Sequence, residues 1–319
     1  MKQPLAEDEQ AIIRTINENF RLTVSSLEFV PIGESAWLYK ANDANGSLYS
    51  VKIQSDSNLA VDQTRKQLVE HGYRFAPKAY LDMASNIQAQ FGELLISVED
   101  YIEHSEIKSH DSLPSKEFLV KLGVALRDLH RIEIATGQPV VQPKETFESF
   151  YIQPAKAAIH TFLNWDKKAQ VLALSASLEE NKDAIERIFA RSVVLGKELA
   201  QKQLPLILTH GDVHFGNTLE DRAGDLYLID WDATMIARPG HDLIYFDDSQ
   251  VRQIAEGYGS DLLASRVELD YYRNHLMLRY MWFWINKIMK TTSQNEMTAL
   301  ADDFANTMHS DYLARALGE

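Results

Sequence analysis

His210-Gly211-Asp212-Val213-His214-Phe215-Gly216-Asn217, followed by Tyr227-Leu228-Ile229-Asp230-Trp231-Asp232, is the stretch on which the reading of this sequence turns. A short apolar run delivers each half, Leu206–Leu208 the first and Leu226–Ile229 the second. Alone, either half reads as a polar turn between strands, with His and Asp satisfying backbone groups. Two histidines and two aspartates so close also suit a metal site. A third reading uses both halves. Phosphoryl transfer from ATP needs a carboxylate for the acceptor hydroxyl, hard oxygen ligands for magnesium on the phosphates, and a cation for the remaining charge. Asp212 can supply the first, Asn217 and Asp230 the second, and an upstream lysine the third.

The spacing sharpens this third reading. Asn217 lies five positions after Asp212, and Asp230 thirteen after Asn217. Both intervals match the catalytic loop and the magnesium-binding Asp of protein kinases. The chain resembles the aminoglycoside phosphotransferase family. That family's form is His-Gly-Asp-x-x-x-x-Asn, then Ile-Asp-(Trp/Phe/Leu), then a Gly/Pro stretch ending in Asp-Leu. The last part is here Arg238-Pro239-Gly240-His241-Asp242-Leu243. Kinase geometry makes His210 a brace of the loop and His214 a local hydrogen-bonding residue, and it argues against a histidine-ligated metal.

The resemblance implies an α+β, bilobal protein-kinase-like fold. Its N-lobe, residues 1–103, is an antiparallel sheet with one main helix. Its C-lobe, residues 104–319, is mostly helical and carries the catalytic loop, the magnesium site and the acceptor site. ATP is the implied co-substrate and Mg2+ the implied cofactor. Tyr49-Ser50-Val51-Lys52-Ile53 looks like the third strand, whose Lys52 reaches the α- and β-phosphates. Leu94–Ile102 looks like the strand running into the hinge, where the C=O of Asp100 and the N–H of Ile102 meet adenine. Leu122-Gly123-Val124-Ala125-Leu126-Arg127-Asp128-Leu129-His130 is similar to a family helix and reads as core packing.

Some positions depart from the pattern. No Glu occupies the part of the following helix that would pair with Lys52; Asp62 is the nearest acidic candidate, and it equally suits an exposed helix face. The phosphate-covering loop offers only Gly33, in Pro31-Ile32-Gly33-Glu34-Ser35-Ala36. Asp232, two residues past Asp230, could aid magnesium, contact substrate or cap a turn, with the structural role favoured, and Asp242 resembles the family carboxylate that scaffolds the loop.

Outward from this core, hydrophobic spacing predicts a helix over 8–19, strands near 27–32, 37–41 and 48–53, and a helix over 58–71 that ends at Gly72. Asn45-Gly46 between two apolar runs signals a hairpin. Residues 77–83 and 93–102 are further strand candidates, and 115–130 is an amphipathic helix. Residues 145–203 read as two or three helices, and helices dominate from 241 onward.

The chain has 319 residues, 45% hydrophobic and 24% charged, with net charge −14 and no cysteine. An acidic chain is a poor partner for nucleic acid. Missing cysteine excludes disulfides and thiolate-held metals. The N-terminus lacks the apolar run of a signal peptide, and no run is long enough to span a membrane. A cytoplasmic enzyme is the expectation. Asp247, Asp248, Glu256, Asp261, Glu268 and Asp270, interleaved with Tyr271, Tyr272, Trp282 and Trp284, suit a cationic small-molecule acceptor. They equally suit a solvated acidic face over an aromatic core.

The leading expectation is transfer of the γ-phosphoryl group to a hydroxyl of an aminoglycoside or aminocyclitol antibiotic. Glu256-Gly257-Tyr258-Gly259 and Tyr271-Tyr272-Arg273 look like the spectinomycin phosphotransferase branch of the family. A housekeeping kinase for homoserine, choline or a sugar is the alternative. A catalytically silent binding protein is the third reading, and intact Lys52, Asp212, Asn217 and Asp230 argue against it.

Overall fold

The computed structural model describes residues 4–5, 9–31, 36–103, 114–133, 142–259 and 264–318. In chain order, α1 (Glu9–Phe20) precedes β1 (Val24–Val30), β2 (Trp37–Asp43) and β3 (Leu48–Gln54). Next come α2 (Leu59–Glu70), β4 (Gln88–Phe91), β5 (Leu94–Asp100) and α3 (Lys116–His130). Then α4 (Ile152–Leu163), α5 (Leu172–Glu180) and α6 (Lys182–Lys202) lead into four short strands. These are β6 (Ile207–Thr209), β7 (Thr218–Glu220), β8 (Leu226–Leu228) and β9 (Met235–Ala237). The chain closes with α7 (Asp248–Tyr258), α8 (Arg266–Lys290), α9 (Gln294–Met308) and α10 (Asp311–Leu317).

Contacts group the chain into two compact units. One comprises Met1–Lys144, Ile207–Ile236 and Gln253–Gly259, the other Glu145–Leu206, Ala237–Arg252 and Ser260–Glu319. The five-stranded sheet lies wholly before residue 103, where the boundary was expected. The unit that holds the sheet nevertheless also takes in α3 and the 207–236 segment that carries both motif halves.

In the first unit, five antiparallel strands run in the order β1-β2-β3-β5-β4. Tyr49, Val51 and Ile53 of β3 are buried in one cluster with Ile12, Ile16 and Phe20 of α1. Side chains alternate along a strand, so Ser50 and Lys52 face the other way. A one-residue slip would bury the lysine and expose the core. The register is held by the β2–β3 turn. There the Asp43 carboxylate accepts from the N–H groups of Asn45 and Ser47, both at 2.8 Å. Gly46 occupies the left-handed region at φ 86°, where a side chain is disfavoured.

Helix α2 starts at Asn58, whose side chain accepts from Ala60 and Val61 N–H, and it ends at His71 before Gly72. The strand expected over 77–83 is replaced by a single bridge, Ala79 to Glu99, and the fourth strand is β4. Pro77 lacks an N–H for a ladder. The Asp82 carboxylate then captures the N–H groups of Ala84 and Asn86, turning the chain before a strand can extend. The expected Gly33 loop lies outside the described residues.

Helix α3 has Ser115 as its N-cap and buries Leu119, Leu122, Leu126 and Leu129. Gly123 meets the backbone of α7 so closely that a Cβ there would lie 1.9 Å from the Ile254 carbonyl oxygen. At Gly257 a Cβ would lie 1.8 Å from the Val120 carbonyl oxygen. Two glycines thus let two helix backbones touch.

The second unit is helical. Helix α8, 25 residues long, contributes Met277, Leu278, Met281, Ile285 and Ile288 to a core shared with Phe162, Leu174, Ile188 and Phe304. Ser265 and Glu268 cap its N-terminus reciprocally. Among the described residues, no helix is long and apolar enough to cross a membrane.

Candidate active site

The two motif halves do not pair with each other as strands. Instead β6 joins β9, and β7 joins β8. Thr209 Oγ1 donates to the Met235 carbonyl at 3.0 Å, and Thr234 Oγ1 returns a bond to the Thr209 carbonyl at 2.9 Å. These bonds bring the start of the first half beside the end of the second.

His210 ties the halves together. Its Nδ1 accepts from Asp212 N–H at 3.3 Å, so the proton of the neutral ring sits on Nε2. That nitrogen is 2.9 Å from the Ile229 carbonyl and donates to it. The ring is fully buried and packs on Trp231, centroids 4.5 Å apart. Trp231 is itself buried and donates from Nε1 to the Leu228 carbonyl at 3.2 Å. His210 is therefore a brace of the loop, the role expected of it.

Asn217 is the second tie. Its Nδ2 donates to the Asp212 carbonyl and to Asp212 Oδ2, both at 3.0 Å. Its backbone carbonyl accepts from Ile229 N–H at 3.0 Å. With nitrogen turned to Asp212, the amide oxygen points the other way and is a hard donor for a cation. Asp230 stands at φ 63° and ψ 71°, a left-handed conformation that aspartate tolerates better than most residues. Its carboxylate opens to the cleft yet is crowded by protein behind. Burial pushes its pKa above the usual range, Asp232 and Asp212 push it further, and Lys52 and His210 oppose them.

Lys52, carried on the cleft face of β3, has its Nζ 3.5 Å from Asp232 Oδ2. Asp62 does not take that place. Burial raises its pKa, and Arg65 and Lys52 pull it back down. Asp232 is the ion-pair partner of the lysine, a contact the sequence did not point to. Asx and acidic residues near a turn are commonplace, so its sequence position carried no signal for this role. A second pair also escaped the sequence reading: Arg65 of α2 binds Glu99 of β5 at 2.6 Å.

A cavity of about 410 Å³ joins these groups. Lys52, Asp100, Ile102, Asn217 and Asp230 all line it, together with Asp232, and Val30, Leu38, Leu219 and Ile229 supply apolar walls. Asp212 is not among its lining residues and is linked to it through Asn217. At the hinge end, Asp100 N–H donates to the Lys78 carbonyl at 3.0 Å and Tyr101 N–H to the Leu48 carbonyl at 3.1 Å. Tyr80 donates to Asp100 Oδ1 at 2.8 Å, which holds that side chain aside.

Among the described residues, no group of three or more His, Cys, Asp or Glu is placed to hold a metal ion. A hard divalent cation fits a different donor set, Asn217 Oδ1 with the Asp230 carboxylate, completed by phosphate oxygens and water.

The acidic residues expected to greet a cationic acceptor are mostly committed elsewhere. Asp248 binds Arg266 at 2.6 Å and Arg273 at 3.0 Å. Glu268 binds Arg238 at 2.7 Å, and Asp270 binds Arg266 at 2.8 Å and also Arg191. Glu256 binds Lys116 at 2.8 Å, and Asp247 accepts from the first N–H groups of α7. Asp261 lies outside the described residues. Tyr271 and Tyr272 are buried core.

Sequence comparison matches residues 31–268 to the phosphotransferase enzyme family. Protein StrN of Streptomyces griseus is 24% identical over 249 residues, which cover 74% of this chain and 75% of StrN. Spectinomycin phosphotransferase APH(9)-Ia, solved in complex with ADP and spectinomycin, superposes with a TM-score of 0.80. That match covers 99% of this chain and 98% of the other, at 18% identity. Choline kinase LicA from Streptococcus pneumoniae gives a TM-score of 0.57 at 19% identity, covering 96% of this chain and 99% of LicA. At these identities the solved structures share the fold, which is α+β and protein-kinase-like.

Proposed function

Because this chain belongs to the phosphotransferase enzyme family, we propose that it transfers the γ-phosphoryl group of ATP to a hydroxyl of a small molecule, with an aminoglycoside or aminocyclitol antibiotic as the acceptor class. The observation that carries the reading is the cavity that gathers Lys52, Asn217 and Asp230 with the hinge residues Asp100 and Ile102.

In this reading adenine lies between the apolar walls and meets the hinge backbone at Asp100 and Ile102. Lys52 turns from Asp232 to the α- and β-phosphates. Asn217 and Asp230 would hold magnesium, which would supply positive charge to offset that of the phosphates. Asp212 accepts the hydrogen bond of the acceptor hydroxyl, aligns its oxygen with the γ-phosphorus and takes the proton late. A loose transition state needs no earlier deprotonation. The O–P bond to the acceptor forms as the bond to ADP breaks, and ADP leaves with the electron pair. The cytoplasm, where ATP is plentiful, is the proposed compartment.

Support for the antibiotic class comes from the shared fold with the spectinomycin phosphotransferase, whose solved complex holds ADP and spectinomycin. The engaged carboxylates of the second unit weaken the case for broad electrostatic capture of any amine. A panel of aminocyclitols, aminoglycosides, choline, homoserine and simple sugars, assayed for ADP release and for phosphorylated product, tests the proposal. Turnover confined to choline, homoserine or a sugar would replace the antibiotic reading with a metabolic kinase. ATP consumption with no acceptor at all would remove the transfer reading.

A further inference from the structure

We propose that His214 is the positioning residue of Asp212, clamping one carboxylate oxygen so that the carboxylate meets the acceptor hydroxyl in one orientation. The inference rests on the phosphotransfer reading of Asp212.

Three observations converge on the ring. Gly216 N–H donates to His214 Nδ1 at 3.0 Å, which puts the proton of the neutral imidazole on Nε2. That Nε2 stands 3.5 Å from Asp212 Oδ2, the same oxygen that accepts from Asn217 Nδ2 at 3.0 Å. The backbone is held as firmly as the ring, since the His214 carbonyl accepts from Asn217 N–H at 2.9 Å and from Thr218 Oγ1 at 3.2 Å. One carboxylate oxygen is thus approached by two donors from the same loop. At 3.5 Å the histidine contact is longer than a good hydrogen bond. Such contacts are commonly loose without substrate and tighten in the reacting complex.

Gly216 supplies the room for this arrangement. A Cβ there would lie 2.8 Å from His214 Cε1 and 3.0 Å from Nδ1. The backbone of Gly216 is not in the left-handed region, so glycine is required here for space and not for conformation. The sequence His-x-Gly after the aspartate therefore reads as one device: the glycine admits the ring, its amide orients the ring, and the ring steadies the carboxylate. The ring has no need of a metal role, in keeping with the donor set above.

Without the histidine the carboxylate loses one of the two donors that approach its Oδ2 and is less restrained about its own side-chain bonds. Small misplacements of a reacting group cost up to about 100-fold in rate. His214→Ala is expected to lower kcat by about 10- to 100-fold while KM for ATP and the melting temperature stay at wild-type values. His214→Gln, which keeps an acceptor and a donor, is expected to recover part of the loss. Gly216→Ala should act by displacing the ring, so the double variant Gly216→Ala/His214→Ala should be no slower than His214→Ala alone.

The experiment is steady-state kinetics on these four variants and the wild type, with nucleotide affinity and thermal melting beside it. A kcat loss confined to chemistry, partial rescue by Gln and non-additivity in the double variant support the proposal. Wild-type kcat in His214→Ala overturns it alone. So do fully additive losses that track a lower melting temperature, which would make the ring mere packing. A wild-type enzyme that phosphorylates no acceptor overturns the transfer reading and this inference together.

Discussion

The Lys52 ammonium lies 3.5 Å from Asp232 Oδ2, so the cation of the cleft rests on the carboxylate two positions beyond Asp230. Both side chains are partly exposed, and such a pair contributes about 0–1 kcal/mol to folding. Under the proposed function its weight falls on the nucleotide, whose phosphates would draw Lys52 away from Asp232. Lys52→Ala is expected to reduce kcat/KM for ATP on the order of 10- to 100-fold, the worth of a charge-assisted contact. Asp232→Asn is expected to leave the melting temperature unchanged and to lower KM for ATP, because it removes the competitor. Equal KM values in wild type and both variants would detach the pair from the nucleotide.

Asp230 is expected to show its crowding in a pH-dependent stability. Burial, then Asp232, raises its pKa in the fold. A raised carboxyl pKa means that the folded state holds the proton more tightly than the unfolded one. The resulting stability is fully present below the unfolded value near 3.8 and is lost as pH rises through the raised folded value. At neutral pH the charged form is therefore disfavoured in the apo fold, though only slightly, because the residue is still more than a third exposed to water. Asp230→Asn should melt higher than wild type at neutral pH and lose magnesium-dependent turnover. Magnesium with ATP should raise the melting temperature of the wild type more than that of the variant. A variant that melts lower at neutral pH, measured without ligand, contradicts the sign.

The glycine contact between α3 and α7 sets a stability prediction far from any chemistry. A Cβ at position 123 would stand 1.9 Å from the Ile254 carbonyl oxygen, well inside contact distance, and helix backbone cannot yield as a side-chain tip can. Gly123→Ala is expected to destabilise by about 1–3 kcal/mol despite the better helix propensity of alanine. Urea unfolding checks it. A more stable variant would mean that the two backbones part at little cost.

What the sequence made legible follows from how local each constraint is. Asp212, Asn217 and Asp230 stand at intervals set by one loop and one turn, so spacing alone brought them together. Lys52 was picked out by its place after the Asn45-Gly46 hairpin, and the alternation of buried Tyr49, Val51 and Ile53 in the folded strand shows why it faces away from that core. Asn45-Gly46 marked its turn by local backbone chemistry, and the apolar stripe of 115–130 marked its helix. The Lys52–Asp232 and Arg65–Glu99 pairs were not legible, because each joins elements whose distance is set by the folded chain. Residues 77–83 misled in a different way: their apolar character suits a strand, but the proline and the Asp82 turn decide the backbone.

Asp248 shows why acidic composition was a poor guide to the acceptor. Its carboxylate holds Arg273, whose side chain is only 2% exposed. Burial lowers the Arg273 pKa, and Asp248 is the largest influence opposing that shift. Removing one partner of a buried pair leaves the other charge uncompensated, at about 3–5 kcal/mol. Asp248 is itself half exposed, so the lower end applies. Asp248→Ala is expected to lower thermal stability by about 3 kcal/mol while KM for the acceptor, measured on the folded fraction, stays unchanged. A raised KM with normal stability would return this residue to the acceptor site.

Asp212 is the residue on which the proposed chemistry stands or falls. Its carbonyl and Oδ2 both receive Asn217 Nδ2, and its N–H donates to His210 Nδ1. The backbone around it is thus braced from both sides by groups other than its own carboxylate. Asp212→Asn keeps the side-chain shape and removes charge and basicity. If Asp212 acts on the acceptor hydroxyl, kcat should fall about 10²–10⁴-fold, the usual worth of a positioned acid–base group. Affinity for ATP should change little, because Lys52, Asn217 and Asp230 line the cavity and Asp212 does not. If Asp212 is instead a structural tie, the Asn variant should lose thermal stability and nucleotide binding together. The two outcomes separate in one set of measurements on one variant: kcat, nucleotide affinity and melting temperature. A folded, ATP-binding Asp212→Asn enzyme with near-normal kcat would take the carboxylate out of the reaction.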